Sequence, residues 1–164
     1  MQPASRDTLF GALRDSAIEV YADRLRSLAV FGSWARGAAT PSSDLDVLVV
    51  AEPLPPSRMK RVREFVAVSE AIREARRHVW SGAGPEVRVS PVLKTPAELS
   101  AGSPLYLDMT LWVAILHDRN GLLTQYLDGL RERMRKLGSR RVAYKGGAYW
   151  DYKPTISPGE VVEL

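Results

Sequence analysis

Two aspartates spaced two apart, Asp44 and Asp46, open the apolar run Val47-Leu48-Val49-Val50, and a Gly32-Ser33 pair closes the earlier apolar run Leu28–Phe31. On a strand, residues i and i+2 project from one face with Cα atoms about 6.6 Å apart, so both carboxylates can lean toward one point. Hard oxygen donors of this kind suit Mg²⁺, which keeps several waters and takes one or two protein carboxylates plus substrate phosphates. Gly32 lets backbone N–H groups come close to phosphate oxygens, and the Ser33 hydroxyl can add a hydrogen bond. The chemistry within reach of this set is the holding of a triphosphate on a divalent ion.

The elements that must position these residues alternate between helical and strand periodicity, an α/β (α+β) pattern. Leu9, Leu13, Ala17 and Val20 share one face of a helix over 6–22, and Leu28–Phe31 forms the strand leading into a tight Gly32-Ser33 turn. The second strand is followed by the breaker Glu52-Pro53-Leu54-Pro55-Pro56-Ser57. A long helix over 57–79 then turns Met59, Val62, Phe65, Val66, Ser69, Ile72 and Ala75 toward the sheet, and a third strand covers 86–93. Thr95-Pro96-Ala97-Glu98 reads as a capping box with proline at the first helical position. A short helix over 104–112, a strand over 113–117, the Asn120-Gly121 turn and a helix over 122–137 capped by Gly138 complete the pattern.

Gly-Ser-x-Ala-Arg-Gly over 32–37 followed by Ser-Asp-Leu-Asp over 43–46 resembles the motif of the minimal nucleotidyltransferases, the small prokaryotic branch of the DNA polymerase β-like superfamily. The match is dense over 28–50 and architectural to about 118. The resemblance implies a small mixed β-sheet with helices packed on one side, plus a C-terminal helix and aromatic tail, in one domain over 1–164. It implies that Gly32, Ser33, Arg36 and Ser43 bind the nucleotide, and that Asp44 and Asp46 bind Mg²⁺ or Mn²⁺. A third carboxylate on a neighbouring strand completes the metal site in that family and can act as general base. Strand alternation puts Glu86, Arg88 and Ser90 on one face, and Glu86 offers the carboxylate there; aligning the following Lys-Thr-Pro-x-Glu-Leu instead places Ser90 or Arg88 at the family's acidic position. Either Glu86 reaches the metals, or two aspartates bind a metal–nucleotide complex with slow or absent turnover.

Two readings of function follow. One is an enzyme that transfers a nucleoside monophosphate, AMP from ATP by default, to a hydroxyl of a protein or small molecule. The other is a nucleotide-binding regulatory or antitoxin-like partner of a small helical protein, which the family resemblance alone brings in. Larger antibiotic-modifying and tRNA-modifying relatives fit less well, because they carry a substantial extra helical domain for the acceptor.

Composition agrees with an ordinary globular chain: 164 residues, 45% hydrophobic and 26% charged. No apolar run approaches the roughly 18 residues a membrane span requires, and the start, Met1 to Asp7, lacks the apolar core of a signal peptide, so the expected location is the cytoplasm. Cysteine is absent, which removes disulfides and thiolate ligands, and the two histidines, His78 and His117, leave carboxylates as the credible metal ligands. His78 falls at the end of an Arg-rich helix, where the dipole accounts for it, and His117 at a strand end.

Basic residues outnumber acidic 23 to 19, and seven of them against one acidic residue lie between Arg131 and Lys145. Such a cluster could attract RNA or an acidic partner, although no base-stacking module interrupts it, so nucleic acid is not the favoured ligand. The tail over 142–154 concentrates aromatics beside glycine and proline, and reads as docking back onto the domain or onto a partner, with Tyr149, Trp150 and Tyr152 as anchors. An amphipathic last helix and this tail make a homodimer conceivable.

Overall fold

The computed structural model describes residues 3–40, 42–79 and 86–155. Helix α1 (Pro3–Tyr21) leads into β1 (Leu25–Phe31), the one-turn helix α2 (Gly32–Ala35) and β2 (Leu45–Ala51). Helix α3 (Arg58–Val79) carries the chain to β3 (Val89–Lys94), then come α4 (Pro96–Ser100), α5 (Leu105–Met109), β4 (Ala114–Asp118) and α6 (Leu122–Leu137). Strands β5 (Arg140–Tyr144) and β6 (Gly147–Asp151) form a separate hairpin.

The main sheet runs β3-β2-β1-β4, with β1 antiparallel to both β2 and β4 and with β2 parallel to β3. A parallel pair cannot be joined by a tight turn, and α3 supplies the crossover. Period-two alternation sorts the side chains. Leu28, Val30, Leu45, Val47 and Val49 pack with Leu9, Leu13 and Ala17 of α1 and with Phe65, Val68 and Ile72 of α3. Ala29, Phe31, Leu48 and Val50 point the other way, onto Tyr106, Leu107 and Met109 of the α5 segment and Leu123, Leu127 and Leu130 of α6. Asp46, between Val47 and Leu45 in the alternation, therefore projects on the α5–α6 face.

Local chemistry sets most boundaries. The capping box is complete: the Glu98 N–H donates to the Thr95 hydroxyl and the Thr95 N–H donates to the Glu98 carboxylate, with Pro96 opening the helix. Arg61 reaches the same Glu98 carboxylate at 2.6 Å and ties α3 to α4. Gly138 ends α6 at φ +69, a left-handed conformation that glycine adopts without a Cβ penalty.

The sequence expectation for α3 needs correction. Phe65 and Ile72 are buried, Ala75 and Ser69 partly so, but Val68 is buried in place of its neighbours, while Met59, Val62 and Val66 are 65%, 37% and 46% exposed. The helix packs along α1 as well as over the sheet, so its inward stripe runs 65-68-72 and rotates its first turn toward solvent. The tail is also more ordered than aromatic content alone implied: Lys145 and Gly146, both at positive φ, turn β5 into β6 as in a two-residue hairpin.

Asp118 closes β4. It accepts hydrogen bonds from the Ser27 hydroxyl (2.7 Å), the N–H groups of Leu123 and Thr124 (2.9 and 3.0 Å) and the Thr124 hydroxyl (2.7 Å). Burial pushes its carboxyl up, but these four donors outweigh that and hold it below the usual carboxylate range. Asp118 thus satisfies the free N–H groups that begin α6.

Candidate functional site

The site is built where β1 stops. Phe31 is still extended, and Gly32 turns the chain at φ +69 into α2. A Cβ on Gly32 would overlap the Asp46 carboxylate oxygen Oδ2, so the position demands glycine for its conformation and for its space. The Gly-Ser turn and the second aspartate of the pair therefore stand in direct contact, across from each other in the β1–β2 register in which Phe31 faces Asp46.

Around this contact the loop is braced. Trp34 is buried beneath α2 and its indole N–H donates to the Ser43 carbonyl at 3.4 Å. The Ala38 N–H donates to the Ser33 carbonyl at 2.9 Å, and the Ser43 N–H to the Thr40 carbonyl at 3.0 Å. Ser33 is half-buried next to Gly32. The Ser43 hydroxyl accepts from the Thr40 N–H at 2.9 Å and lies 3.1 Å from the Thr40 hydroxyl; its visible work is holding the loop that delivers Asp44.

Asp44 is exposed just ahead of β2, and Asp46 is half-buried within it. Burial, and then the charge of Asp44, push the Asp46 carboxyl above the usual range, while a hydrogen bond from Ser90 and the positive charge of Arg36 pull it partway back. The two carboxylates repel each other in a partly desolvated place. Two hard oxygen donors with uncompensated negative charge suit a divalent cation, which would remove that penalty.

The parallel β2–β3 register sets Ser90 beside Asp46, and the Leu45 N–H donates to the Arg88 carbonyl at 2.7 Å. Glu86 lies ahead of β3, exposed. Among the described residues no three His, Cys, Asp or Glu side chains gather to hold a metal. Strand β3 begins at Val89, and the extended chain from Ser90 back to Glu86 spans about 13 Å.

His117 sits partly buried in β4, opposite Leu28, and His78 is exposed in the last turn of α3 with its ring nitrogen 2.9 Å from the Glu74 carbonyl. Neither approaches the aspartates as part of a metal cluster.

Arg36, one residue beyond α2, brings in groups that sequence reasoning did not single out. Its guanidinium lies 3.8 Å from Asp108 Oδ2 and 5.7 Å from the ring centre of Trp112. Asp108 Oδ1 in turn accepts from the Trp150 indole N–H at 2.8 Å and from Arg141 Nε at 3.1 Å. Of the three tail aromatics expected to dock, Trp150 is hydrogen-bonded to the body, Tyr152 lines a pocket with Leu107, Tyr126 and Leu130, and Tyr149 is 53% exposed. The Lys145-Gly146-Gly147 run was the available signal for a turn, but nothing in sequence spacing links position 108 to 36, 141 and 150.

Comparison with known proteins then bears on what this arrangement is for. Residues 18–101 match the family profile described as "Nucleotidyltransferase domain". A curated protein of Methanocaldococcus jannaschii named "Putative protein adenylyltransferase" is 30% identical over 121 residues, covering 71% of this chain and 75% of its own. Among solved structures, a toxin-antitoxin with AMP-PNP aligns over 81% of this chain and 92% of its own at 14% identity and a TM-score of 0.46. A "putative nucleotidyltransferase" from Sulfolobus solfataricus aligns over 71% and 86% at 19% identity and a TM-score of 0.44.

Proposed function

Because this chain belongs to the nucleotidyltransferase domain family, we propose that it transfers AMP from ATP, with Mg²⁺ or Mn²⁺ held by Asp44 and Asp46, to a hydroxyl group of a protein acceptor. The observation that supports the reading is the close approach of Gly32 to the Asp46 carboxylate: it sets the turn proposed to hold phosphate against one aspartate of the pair proposed to hold metal. The choice of a protein acceptor takes support from the name of the archaeal relative.

In this reading Ser33 and the backbone at Gly32 orient the β and γ phosphates, and Arg36 offers a planar set of N–H donors to the same oxygens. Asp44 and Asp46 hold the divalent ions, which when bound neutralise phosphate charge and favour in-line displacement. The acceptor oxygen forms a bond to the α-phosphorus, the bond from that phosphorus to the bridging α–β oxygen breaks, pyrophosphate leaves, and the hydroxyl proton passes to solvent. Positioning and charge compensation dominate such chemistry. Ser90 stands beside Asp46 in the β2–β3 register, and in this reading Glu86 stays apart from the pair, so that turnover is slow.

The test incubates the chain with α-phosphate-labelled ATP, Mg²⁺ and a lysate of its source. Labelling of a macromolecule by wild type that is lost in D44N and D46N, and unchanged in E86Q, is the expected result. Equal labelling by all four rejects the assigned chemistry, and Mg²⁺-dependent ATP binding without transfer rejects the enzymatic part in favour of a regulatory nucleotide-binding protein.

A further inference from the structure

The cluster on Asp108 contains two cations for one anion. Arg36 comes from the end of α2, and Arg141 comes from β5, more than a hundred positions later in the chain. Both meet the same carboxylate, Arg36 at Oδ2 (3.8 Å) and Arg141 at Oδ1 (3.1 Å). Both guanidinium groups also lie over the ring of Trp112, their central carbons 5.7 and 5.1 Å from its centre. Asp108 sets one negative charge against these two positive ones, so like charges are held close. Docking the hairpin does not call for this: Trp150 alone gives Asp108 a hydrogen bond from β6.

We infer that Arg141 is a second arginine of the triphosphate site, with Asp108 as the positioning residue that aims it and Arg36 at the same phosphates. This rests on the nucleotide reading of Gly32, Ser33 and Arg36. A polyanion is the ligand class that uses two guanidinium groups fixed side by side, since each presents a rigid fork of donors to phosphate oxygens. The cluster is not remote from the Gly-Ser turn: the Arg36 N–H donates to the Gly32 carbonyl at 3.2 Å. The aromatic ring beneath both arginines and the carboxylate between them limit their rotamers, so less freedom is lost when phosphate binds.

The hairpin supplies its own control. In its register Arg141 pairs with Trp150 on the face turned to Asp108, while Arg140 pairs with Asp151 on the opposite face, at 3.2 Å. The two arginines are neighbours in sequence, carry equal charge and share one strand, yet one alone meets the cluster.

Titration of the full-length chain with MgATP, and separately with adenosine, reads the difference. For R141Q, affinity for MgATP should fall about tenfold, the loss expected of one charge-assisted contact to phosphate, with adenosine affinity within about twofold of wild type. R140Q should bind MgATP as wild type does. W150F, which removes a hydrogen bond to Asp108 and keeps Arg141, should stay within about twofold, and D108N should weaken MgATP binding by about threefold without further effect in the R36Q/R141Q background. Unchanged MgATP affinity in R141Q overturns the inference, as does an equal loss in R140Q or W150F, either of which would assign the effect to net charge or to hairpin docking. Those failures leave the parent reading intact, whereas a wild-type chain that binds no MgATP removes both.

Discussion

Strand β1 carries one partly buried aspartate against each of its ends, and the two are treated in opposite ways. At the N-terminal half, Asp118 of β4 receives four hydrogen bonds and its carboxyl is held below the ordinary range despite burial. At the C-terminal end, Asp46 of β2 is pressed against Gly32 and pushed up by burial and by Asp44, with a hydrogen bond from Ser90 among the opposing influences. One carboxylate is spent on starting a helix. The other is pushed toward its neutral form by burial and a like charge, an imbalance that the cation of the proposed function would relieve. Perturbed carboxylates occur at structural and functional sites alike; the direction of the shift and the identity of the donors separate them here.

Substitutions that remove each charge should break this symmetry in opposite senses. D46N is expected to lower Mg²⁺-dependent transfer at least a hundredfold while leaving the melting temperature equal to or above that of wild type without metal, because it relieves a repulsion; a drop in melting temperature would assign Asp46 a structural role. G32A should also lose transfer, and it should cost about 1–2 kcal/mol of stability, since it adds both left-handed strain and an overlap with the Asp46 carboxylate. D118N should do the converse: a loss of about 1–3 kcal/mol from hydrogen bonds to a charged acceptor, seen in denaturant unfolding, with transfer measured well below melting within about twofold of wild type.

Acid should separate the pair as well. Because the folded-state carboxyl of Asp118 is lowered, its contribution to stability is present above the unfolded-state value and is lost as pH falls through the lower folded value. The carboxyl of Asp46 is raised, so its ionised form, the one proposed to bind metal, is depleted at a higher pH than an ordinary aspartate would be. Mg²⁺-dependent ATP binding should therefore fade on acidification before the stabilisation from Asp118 does, and a chain that loses both together would contradict the comparison. The smallest effect is expected at a neutral group. Tyr106 is buried, its hydroxyl has no hydrogen-bond partner among the described residues, and burial pushes its ionisation up to about 12. Y106F should thus change stability by under about 1 kcal/mol, in the stabilising direction.

The sheet half of this architecture was legible because its signals are local. Apolar alternation marks β1 and β2, the Gly-Ser turn and the Asp-x-Asp pair lie within fifteen residues of each other, and Thr95-Pro96-x-Glu98 writes its own cap. What could not be read depends on contacts between distant segments. The inward face of α3 depends on how α1 shares it, which moved Val68 in and Val66 out. The standing of Glu86 depends on the β2–β3 register, and alternation alone permits Glu86, Arg88 and Ser90 equally. Asp108 joins Arg36 to Arg141 and Trp150, and no period or motif spans those separations.

The central claim is that the Gly32 turn and the Asp44–Asp46 pair form one metal-dependent nucleotide site. Calorimetric titration of ATP into wild type and D46N, each with and without Mg²⁺, tests it most directly. The expected result is that Mg²⁺ strengthens ATP binding to wild type at least tenfold and leaves the affinity of D46N unchanged. Equal strengthening in both proteins, or ATP binding indifferent to Mg²⁺ in wild type, would contradict it.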